Sequence, residues 1–196
     1  LRDVPDLADI RSMLRLLAEL GCSIPAFIPA GNAPVPSPLS LHASDDSNSH
    51  ARYDIVRTMR ASICVLGPLL AKRGFARVSM PGGCAIGDRP VDLHLRGMEA
   101  LGAQITLQNG DIIARAPAGG LRGATVFLGG PFGSTVLGTA NVMSAATLAK
   151  GKTVIECAAC EPEITDLANL LTAMGAQIEG AGSPRITVYG VPALHG

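Results

Sequence analysis

The stretch Pro-Glu-Ile-Thr-Asp-Leu-Ala-Asn-Leu-Leu-Thr-Ala-Met-Gly-Ala-Gln-Ile, residues 162–178, sets the pattern of the whole chain. Its apolar residues recur with the spacing of one helix face, and Gly175 follows them as the residue suited to a left-handed helix end. A strand-like Ala-Gln-Ile comes directly after the glycine. The pattern occurs twice more, in residues 6–24 and 90–105, closed by Gly21 and Gly102. Three copies of one helix–glycine–strand element predict an internally repeated fold.

A second type of helix alternates with the first. Residues 58–71 and 134–149 are almost free of charged side chains, with Arg60 as the main exception. A helix that is apolar on every face is normally buried on every face. Short, partly polar strands are predicted at residues 76–80, 112–116, 125–128 and 186–189. We therefore predict an α/β fold, a pseudo-threefold repeat of β-α-β-α-β-β units with the helices inside and the sheets outside.

The composition excludes several classes of protein. The chain has 16 basic and 16 acidic side chains in 196 residues, and no basic run predicts a nucleic-acid surface. No apolar stretch reaches the roughly 18 residues of a membrane span, and no signal-peptide pattern opens the chain. The five cysteines are irregularly spaced, which favours a reducing compartment over a disulfide framework. We expect a cytoplasmic protein without nucleic-acid or membrane partners, and, because it begins mid-pattern at Leu1, a fragment.

Residues 81–94, Pro-Gly-Gly-Cys-Ala-Ile-Gly-Asp-Arg-Pro-Val-Asp-Leu-His, carry the clearest chemical motif. Cys84 lies between glycines that leave its thiol unshielded, and Arg89 would favour a thiolate or an anionic ligand beside it. This layout is typical of a cysteine that meets an anionic substrate. The plainer interpretation is a tight turn with an incidental cysteine, since most free cysteines behave as small buried hydrophobes.

The same residues closely resemble the pattern P-G-G-C-x-I-G-x-R-P-V-D-L-H of the UDP-N-acetylglucosamine 1-carboxyvinyltransferase family of enolpyruvyl transferases. The resemblance extends through Met-Arg-Ala-Ser at 59–62 and Glu-Pro-Glu-Ile at 161–164. It implies an enzyme of two domains, each built from three repeated units around a pseudo-threefold axis. Residues 1–196 would then be one partial domain that bears the cysteine loop. The first strand and helix of its first unit, and the whole second domain, would lie outside the chain.

The resemblance also implies the reaction. Members of the family transfer enolpyruvate from phosphoenolpyruvate to the 3-hydroxyl of UDP-N-acetylglucosamine, the first committed step of peptidoglycan precursor synthesis, without a cofactor or metal. Cys84 matches the family's general acid, which the antibiotic fosfomycin alkylates. Arg60 matches a residue that contacts substrate near the phosphates. Arg89, Pro90, Val91, Asp92 and Leu93 match the segment that wraps the uridine nucleotide.

A further anion site is predicted from the residues alone. A strand at 124–128 runs into Gly129-Gly130-Pro131-Phe132-Gly133, and Ser134 opens the charge-free helix. A glycine loop at a helix N-terminus presents backbone N–H groups to a phosphate, although no Gly-Lys-Ser/Thr follows as in a triphosphate-binding loop. By resemblance, residues 129–132 would hold the diphosphate of the sugar nucleotide. The chain departs from the family here, because Gly129 stands where a basic residue is common and the helix is about four residues longer.

Other polar groups have ordinary explanations. Cys157 and Cys160 form a C-x-x-C, but a structural zinc site would need a second ligand pair that the chain lacks. The acidic cluster at 161–166 is favoured by the dipole of the helix that begins there. By resemblance, His94 would belong with Asp92 to the nucleotide-facing loop, whereas taken alone it is expected to be a surface histidine. Residues 43–50 are expected to form a poorly ordered polar loop.

Two rival functions stay open at this stage. An enolpyruvyl transferase of the shikimate pathway shares the fold, but its members lack the cysteine loop, so Cys84 discriminates against it. A non-catalytic UDP-sugar-binding paralogue is the rival from another class, and the altered loop at Gly129 is the reason to consider it.

Overall fold

The computed structural model of the chain describes residues 1–25, 27, 34–81 and 91–196. In these ranges the helices are α1 (Ala8–Glu19), α2 (Tyr53–Val56), a 3₁₀ helix (Arg60–Val65), α3 (Leu66–Arg73), α4 (Asp92–Ala100), α5 (Val136–Ala146) and α6 (Pro162–Ala173). The strands are β1 (Cys22–Ser23), β2 (His42–Ala43), β3 (His50–Ala51), β4 (Phe75–Ser79), β5 (Gln104–Gln108), β6 (Asp111–Arg115), β7 (Thr125–Phe127), β8 (Lys152–Glu156), β9 (Gln177–Glu179) and β10 (Arg185–Tyr189).

Two of the sheets have four strands each and the same topology. Their strand orders are β3-β4-β6-β5 and β7-β8-β10-β9. In each sheet the first two strands are parallel, and the remaining pairs are antiparallel. A parallel pair needs a crossover connection, which α3 provides in one sheet and α5 in the other. The predicted β-α-β-α-β-β unit therefore occurs twice, and α1-β1-β2 corresponds to the end of a third unit.

The three helix-closing glycines have the predicted conformation. Gly21, Gly102 and Gly175 have φ values of +92°, +94° and +103°, which residues with a side chain rarely adopt. Each lies two residues after the last residue of its helix and one or two residues before its strand, which is β1, β5 and β9 respectively. The repeat read from residues 162–178 is thus confirmed.

Helix α5 lies at the centre of the helical layer. It contacts the 3₁₀ helix, α3, α4 and α6, as well as strands β8 and β10. Its buried residues cover every face: Gly138, Thr139, Asn141, Val142, Met143, Ala145 and Ala146. Strands β4, β8 and β10 bury alternate residues, so each sheet packs one face on the helices and leaves the other nearer to solvent. The inside-out arrangement of helices and sheets is confirmed.

The first charge-free segment differs from the prediction of one helix over residues 58–71. Met59 is extended, the 3₁₀ helix follows, and α3 begins only at Leu66. Close packing against α5 accompanies this change. The backbone N–H of Gly67 donates to Oδ1 of Asn141 over 2.6 Å, and a Cβ on Gly67 would lie 2.3 Å from the Asn141 carbonyl oxygen.

Residues 44–49 form defined contacts instead of the expected poorly ordered loop. The guanidinium of Arg73 pairs with Asp46 over 3.0 Å and donates to the carbonyl of Leu20 over 2.8 Å. The side chain of Asn48 donates to the carbonyl of Glu19 over 2.7 Å. Arg73, whose side chain is only 9 % exposed, thereby ties this segment to the ends of α1 and α3.

None of the helices in the described parts of the chain has both the length and the apolar character needed to span a bilayer.

Replacing Gly67 by alanine should destabilise the fold. The added methyl group would overlap the backbone of α5 at Asn141, and such overpacking costs about 1–3 kcal/mol. Urea denaturation of the Gly67→Ala variant should show that loss in the free energy of unfolding. Lys72→Ala, at an exposed position of the same helix, is the matched control and should change it by less than about 0.5 kcal/mol. Equal effects of the two substitutions would contradict the close α3–α5 contact.

Candidate functional site

A cavity of about 580 Å³ lies between the start of the 3₁₀ helix, the first turn of α4 and the loop that leads into α5. The predicted site residues Arg60, Asp92, Leu93, Gly130, Pro131 and Phe132 all line it. These residues come from three separate parts of the sequence. The structure therefore brings Arg60, the first turn of α4 and the glycine loop to one place.

The remaining predicted residues lie in other positions. Val91 precedes α4 and is only 5 % exposed, packed in the hydrophobic core and not among the residues that line the cavity. Gly129 adjoins the cavity-lining loop without lining the cavity itself. Cys84, Arg89 and Pro90 lie outside the described residues.

The glycine loop turns back on itself next to the cavity. The N–H of Gly130 donates to the Gly133 carbonyl over 2.9 Å, and the N–H of Gly133 donates to the Gly130 carbonyl over 3.1 Å. Phe132 at the tip is 95 % exposed. Thr135, rather than the predicted Ser134, caps α5, because its Oγ1 accepts a hydrogen bond from the N–H of Gly138 over 3.1 Å.

A side chain at residue 129, the start of this loop, would meet the side chains of Phe127 and Cys157. A Cβ on Gly129 would lie 2.5 Å from the ring of Phe127 and 3.1 Å from Sγ of Cys157. The exposed Arg96 of α4 approaches the same point, where its Nη1 donates to the Gly129 carbonyl over 3.4 Å. A basic group therefore lies at the start of the loop, but it comes from a neighbouring helix. Arg96 could not be predicted at this place, because nothing in the sequence links residues 96 and 129.

His94 is buried, contrary to the expectation of a surface histidine. It is only 2 % exposed, lines the cavity, and places Nδ1 3.1 Å from the side-chain nitrogen of Asn141. Burial, together with the nearby charge of Arg60, lowers its pKa to about 4. His94 follows the burial pattern of Val91, Met98 and Leu101, so its place on the apolar stripe of α4 was a signal available in the sequence.

The charges at the cavity suit a ligand that is anionic at one end. Arg60 is partly buried and contributes a permanent positive charge, while His94 stays neutral near pH 7. Asp92 is exposed on the first turn of α4, where a carboxylate is favoured by the helix dipole. Within the described ranges, no three histidine, cysteine, aspartate or glutamate side chains are grouped as a metal site would require.

The described cysteines differ in their surroundings. Burial raises the pKa of Cys64 to about 11, and it also raises the pKa of Cys22. Cys157 and Cys160 follow β8 as free thiols, and Cys160 is exposed. The acidic residues Glu161, Glu163 and Asp166 are exposed at the start of α6 and are not among the residues that line the cavity.

Comparison with known proteins matches the whole chain to one family. The family model described as EPSP synthase (3-phosphoshikimate 1-carboxyvinyltransferase) covers residues 1–196. Curated relatives named UDP-N-acetylglucosamine 1-carboxyvinyltransferase are 52 % identical over 195 residues in Akkermansia muciniphila and 57 % identical over 196 residues in Cereibacter sphaeroides. Each alignment covers 100 % of this chain but only 44 % of the relative. The chain thus spans less than half the length of these curated relatives.

Solved structures share the fold at much lower sequence identity. The enolpyruvyl transferase NikO of Streptomyces tendae superposes with a TM-score of 0.77 at 21 % identity, over 99 % of this chain and 43 % of NikO. EPSP synthase of Acinetobacter baumannii superposes with a TM-score of 0.64 at 19 % identity, over 94 % of this chain and 40 % of that protein. At these identities the similarity concerns the fold alone.

The buried His94 should make stability depend on pH. In the unfolded chain its pKa returns to about 6.5, so between that value and about 4 the unfolded state binds the proton and the folded state does not. Stability is therefore lost as the pH falls, by about 2 kcal/mol between about pH 7.5 and pH 5. Urea denaturation at both pH values measures the loss. His94→Asn, which cannot titrate, should lack this part of it. The same pH dependence in both proteins would contradict the assignment.

Proposed function

This chain belongs to the EPSP synthase family, and we propose that it forms one domain of an enzyme that transfers enolpyruvate from phosphoenolpyruvate to the 3-hydroxyl of UDP-N-acetylglucosamine. The identity of more than half to relatives of that name, along the whole chain, carries the proposal. The reaction would release phosphate and supply a precursor of peptidoglycan in the cytoplasm. Because the chain spans 44 % of those relatives, the activity belongs to the complete catalytic unit.

The chemistry sets clear demands on the site. The vinyl carbon of phosphoenolpyruvate must gain a proton, the sugar hydroxyl must lose one, and the phosphate charges must be balanced. Arg60 suits the last task, because its planar guanidinium can make paired hydrogen bonds to phosphate or carboxylate. We propose that Arg60 binds substrate at the wall of the cavity that it shares with Asp92 and Leu93.

Cys84 is proposed as the proton donor to the vinyl carbon. The motif around Cys84 matches the family pattern. In sequence, Cys84 follows β4, and the proposed nucleotide segment, residues 89–93, begins before α4 and ends in its first turn. The start of that region is fixed by described residues. Ser79, the last residue of β4, donates to Asp111 over 2.6 Å, and Arg77 also donates to Asp111 over 2.6 Å. The N–H of Met80 then donates to the Gly110 carbonyl over 2.8 Å.

The nucleotide and its diphosphate are proposed to bind between residues 89–93 and residues 129–132. Leu93 and Gly130 support this pairing, because a Cβ on Gly130 would lie 3.3 Å from a methyl group of Leu93. Leu93 and Gly130 therefore meet at one edge of the cavity. Val91 would hold the segment in place through its buried side chain, and Asp92 and Leu93 would face the ligand.

A second domain is proposed to complete the site and to supply the base for the sugar hydroxyl.

The first repeat, of which the structure contains α1, β1 and β2, is also proposed to be completed by a further strand and helix. In the described residues its sheet has two strands, whereas the other two sheets have four each. An apolar groove of about 330 Å³ lies beside it, with Met13, Leu17 and Leu69 among its walls. A buried helix like α3 or α5 would cover those side chains.

The name of the matching family model makes shikimate 3-phosphate the rival acceptor. Phosphate release by the enzyme that contains this chain should occur with phosphoenolpyruvate and UDP-N-acetylglucosamine, and not with phosphoenolpyruvate and shikimate 3-phosphate. The isolated chain of residues 1–196 should show no turnover, since it offers one wall of the proposed cleft. Binding of the sugar nucleotide without phosphate release would favour a non-catalytic paralogue. Release with shikimate 3-phosphate would favour the rival enzyme.

In the same assay Arg60→Ala should lower kcat/KM about 100-fold, as expected when a charged hydrogen-bond partner of a phosphate is removed. Arg57→Ala removes an exposed arginine from a neighbouring position that does not line the cavity, and it should have little effect.

Cys84 should be the most reactive thiol of the chain. Brief treatment with substoichiometric iodoacetamide, followed by peptide mapping, should find the label on Cys84 first. Cys64 and Cys22 should react slowly because burial raises their pKa values and leaves little thiolate. Cys160 is exposed and is the internal competitor. Labelling led by Cys157 or Cys160 would contradict the role proposed for Cys84.

A further inference from the structure

Asn109 and Gly110 form the turn of the hairpin that joins β5 to β6. Gln108 pairs with Asp111 in the register of the two strands, so the turn has only two residues. Asn109 has φ +53° and Gly110 has φ +81°, and a hairpin turn of type I′ requires positive φ at both of these positions. Both residues are exposed at the tip of the hairpin. Solvent therefore reaches the side-chain amide of Asn109.

An asparagine followed by glycine can react with its own backbone. Glycine has no Cβ to obstruct its nitrogen, and its backbone rotates freely enough to bring that nitrogen to the preceding side chain. The nitrogen of Gly110 loses its proton and bonds to Cγ of Asn109, and the side-chain nitrogen leaves with one added proton as ammonia. The cyclic imide then takes up one water molecule at either of its two carbonyl groups. The product is aspartate or isoaspartate, and water is the only other reactant.

The ring can close only when the turn briefly leaves its folded conformation. The exposed tip of a hairpin is among the parts of a fold that open locally at the lowest free energy. The ladder between β5 and β6 begins at Gln108 and Asp111, so the two turn residues lie outside it. Opening of the turn therefore does not require the strands to separate.

The other asparagines of the chain are less suited to this reaction. Each is followed by a residue whose side chain obstructs the nitrogen: Asn32, Asn48, Asn141 and Asn169. The side chain of Asn48 is also held at both ends, by the carbonyl of Glu19 and the N–H of His50. Asn141 is fully buried, and Asn169 lies within α6. Asn109 is therefore expected to react first.

The end of β4 is held by the residues that directly follow the reactive side chain. The carbonyl of Gly110 accepts from the N–H of Met80 over 2.8 Å. Asp111, which is only 7 % exposed, accepts from Arg77 and from Ser79 over 2.6 Å each. An isoaspartate in the turn would route the main chain through its Cβ and so lengthen the turn by one carbon atom. Because a two-residue turn fixes the register of its strands, Gly110 and Asp111 would shift relative to β4.

We propose that Asn109 deamidates in the folded protein, and that the isoaspartate so formed weakens the hold of the β5–β6 hairpin on the end of β4. The loss of ammonia makes this a one-way change that accumulates with the age of the molecule. Strand β4 leads in sequence to the motif of residues 81–94, so the effect falls on the strand before that motif. The inference does not depend on the proposed function, because it uses only the turn, its exposure and its hydrogen bonds.

Incubation of the folded protein, followed by peptide mapping, tests the reaction. The protein that contains this chain is kept folded at mildly alkaline pH, digested, and searched for the mass increase of amide replacement by carboxylate. Protein isoaspartate methyltransferase with labelled S-adenosylmethionine then distinguishes isoaspartate from aspartate. We expect residue 109 to convert before any other asparagine, and faster at higher pH because the nitrogen of Gly110 must lose a proton. A synthetic peptide of residues 104–115 is the unfolded comparison. Conversion of the peptide without conversion of the folded protein would overturn the proposal.

Amide hydrogen exchange at Met80, measured by NMR, tests the consequence. The N–H of Met80 should exchange about tenfold faster in incubated protein that contains isoaspartate than in fresh protein. Asn109→Gly keeps a residue free to adopt positive φ but cannot cyclise, so incubation should leave its exchange unchanged. Fresh Asn109→Asp carries the charge of the product without the extra carbon atom and should exchange like the fresh wild-type protein.

Two results would overturn the proposed effect on β4. Equally slow exchange of Met80 in fresh and incubated protein, with isoaspartate present at residue 109, would show that the hairpin keeps its hold. Fast exchange in fresh Asn109→Asp would assign the effect to the new charge and reject the lengthened turn as its cause.

Discussion

The burial of most of α5, on every face, is the constraint on which the rest of the structure depends. A helix surrounded by other helices and by two strands has no water to satisfy its polar side chains, so each must find a partner within the protein. Thr139 accepts from the N–H of Ala159 over 3.0 Å, and Asn141 bonds to both the 3₁₀ helix and α3. These bonds are directional, and they fix the helices relative to one another where apolar contacts alone would permit sliding.

The same burial determines where a ligand can bind. Helix α5 rises from the core, and its first turn is the part that reaches the surface, next to the glycine loop. The 3₁₀ helix and α4 are held against it by Asn141, and they bring Arg60 and Asp92 to the same cavity. The site is therefore built on rigid helix ends, so the charges that face a ligand are positioned before it arrives.

Much of the fold could be predicted from the sequence because its signals are local and repeated. A glycine after an amphipathic stretch needs only its own backbone to end a helix. Three such glycines, Gly21, Gly102 and Gly175, indicate the three repeated units. The 3₁₀ helix could not be predicted, since the close approach of Gly67 to Asn141 is a contact between distant parts of the chain. The contacts of residues 44–49 depend likewise on Arg73, which lies far along the sequence.

The site was predicted less completely, because it too depends on contacts between distant parts of the chain. The resemblance supplied the segments that meet at the cavity, but Cys84, Arg89 and Pro90 lie outside the described residues, and their roles stay predictions. Taken alone as a polar residue, His94 is expected at the surface, although the resemblance puts it in the nucleotide-facing loop. Judged by its spacing from Val91 and Met98, it belongs to the buried face of α4.

The surroundings of Gly129 show that a positive charge can reach the start of the glycine loop from another part of the sequence. A Cβ there would require the exposed ring of Phe127 to swing away and the thiol of Cys157 to shift slightly. Arg96 reaches the carbonyl of Gly129 from α4, and its guanidinium places a positive charge beside the start of the loop. A comparison of the loop alone would conclude that the charge is lost. Electrostatic attraction acts through space between groups, whatever their order along the chain, so a phosphate at this loop would be attracted by either arrangement.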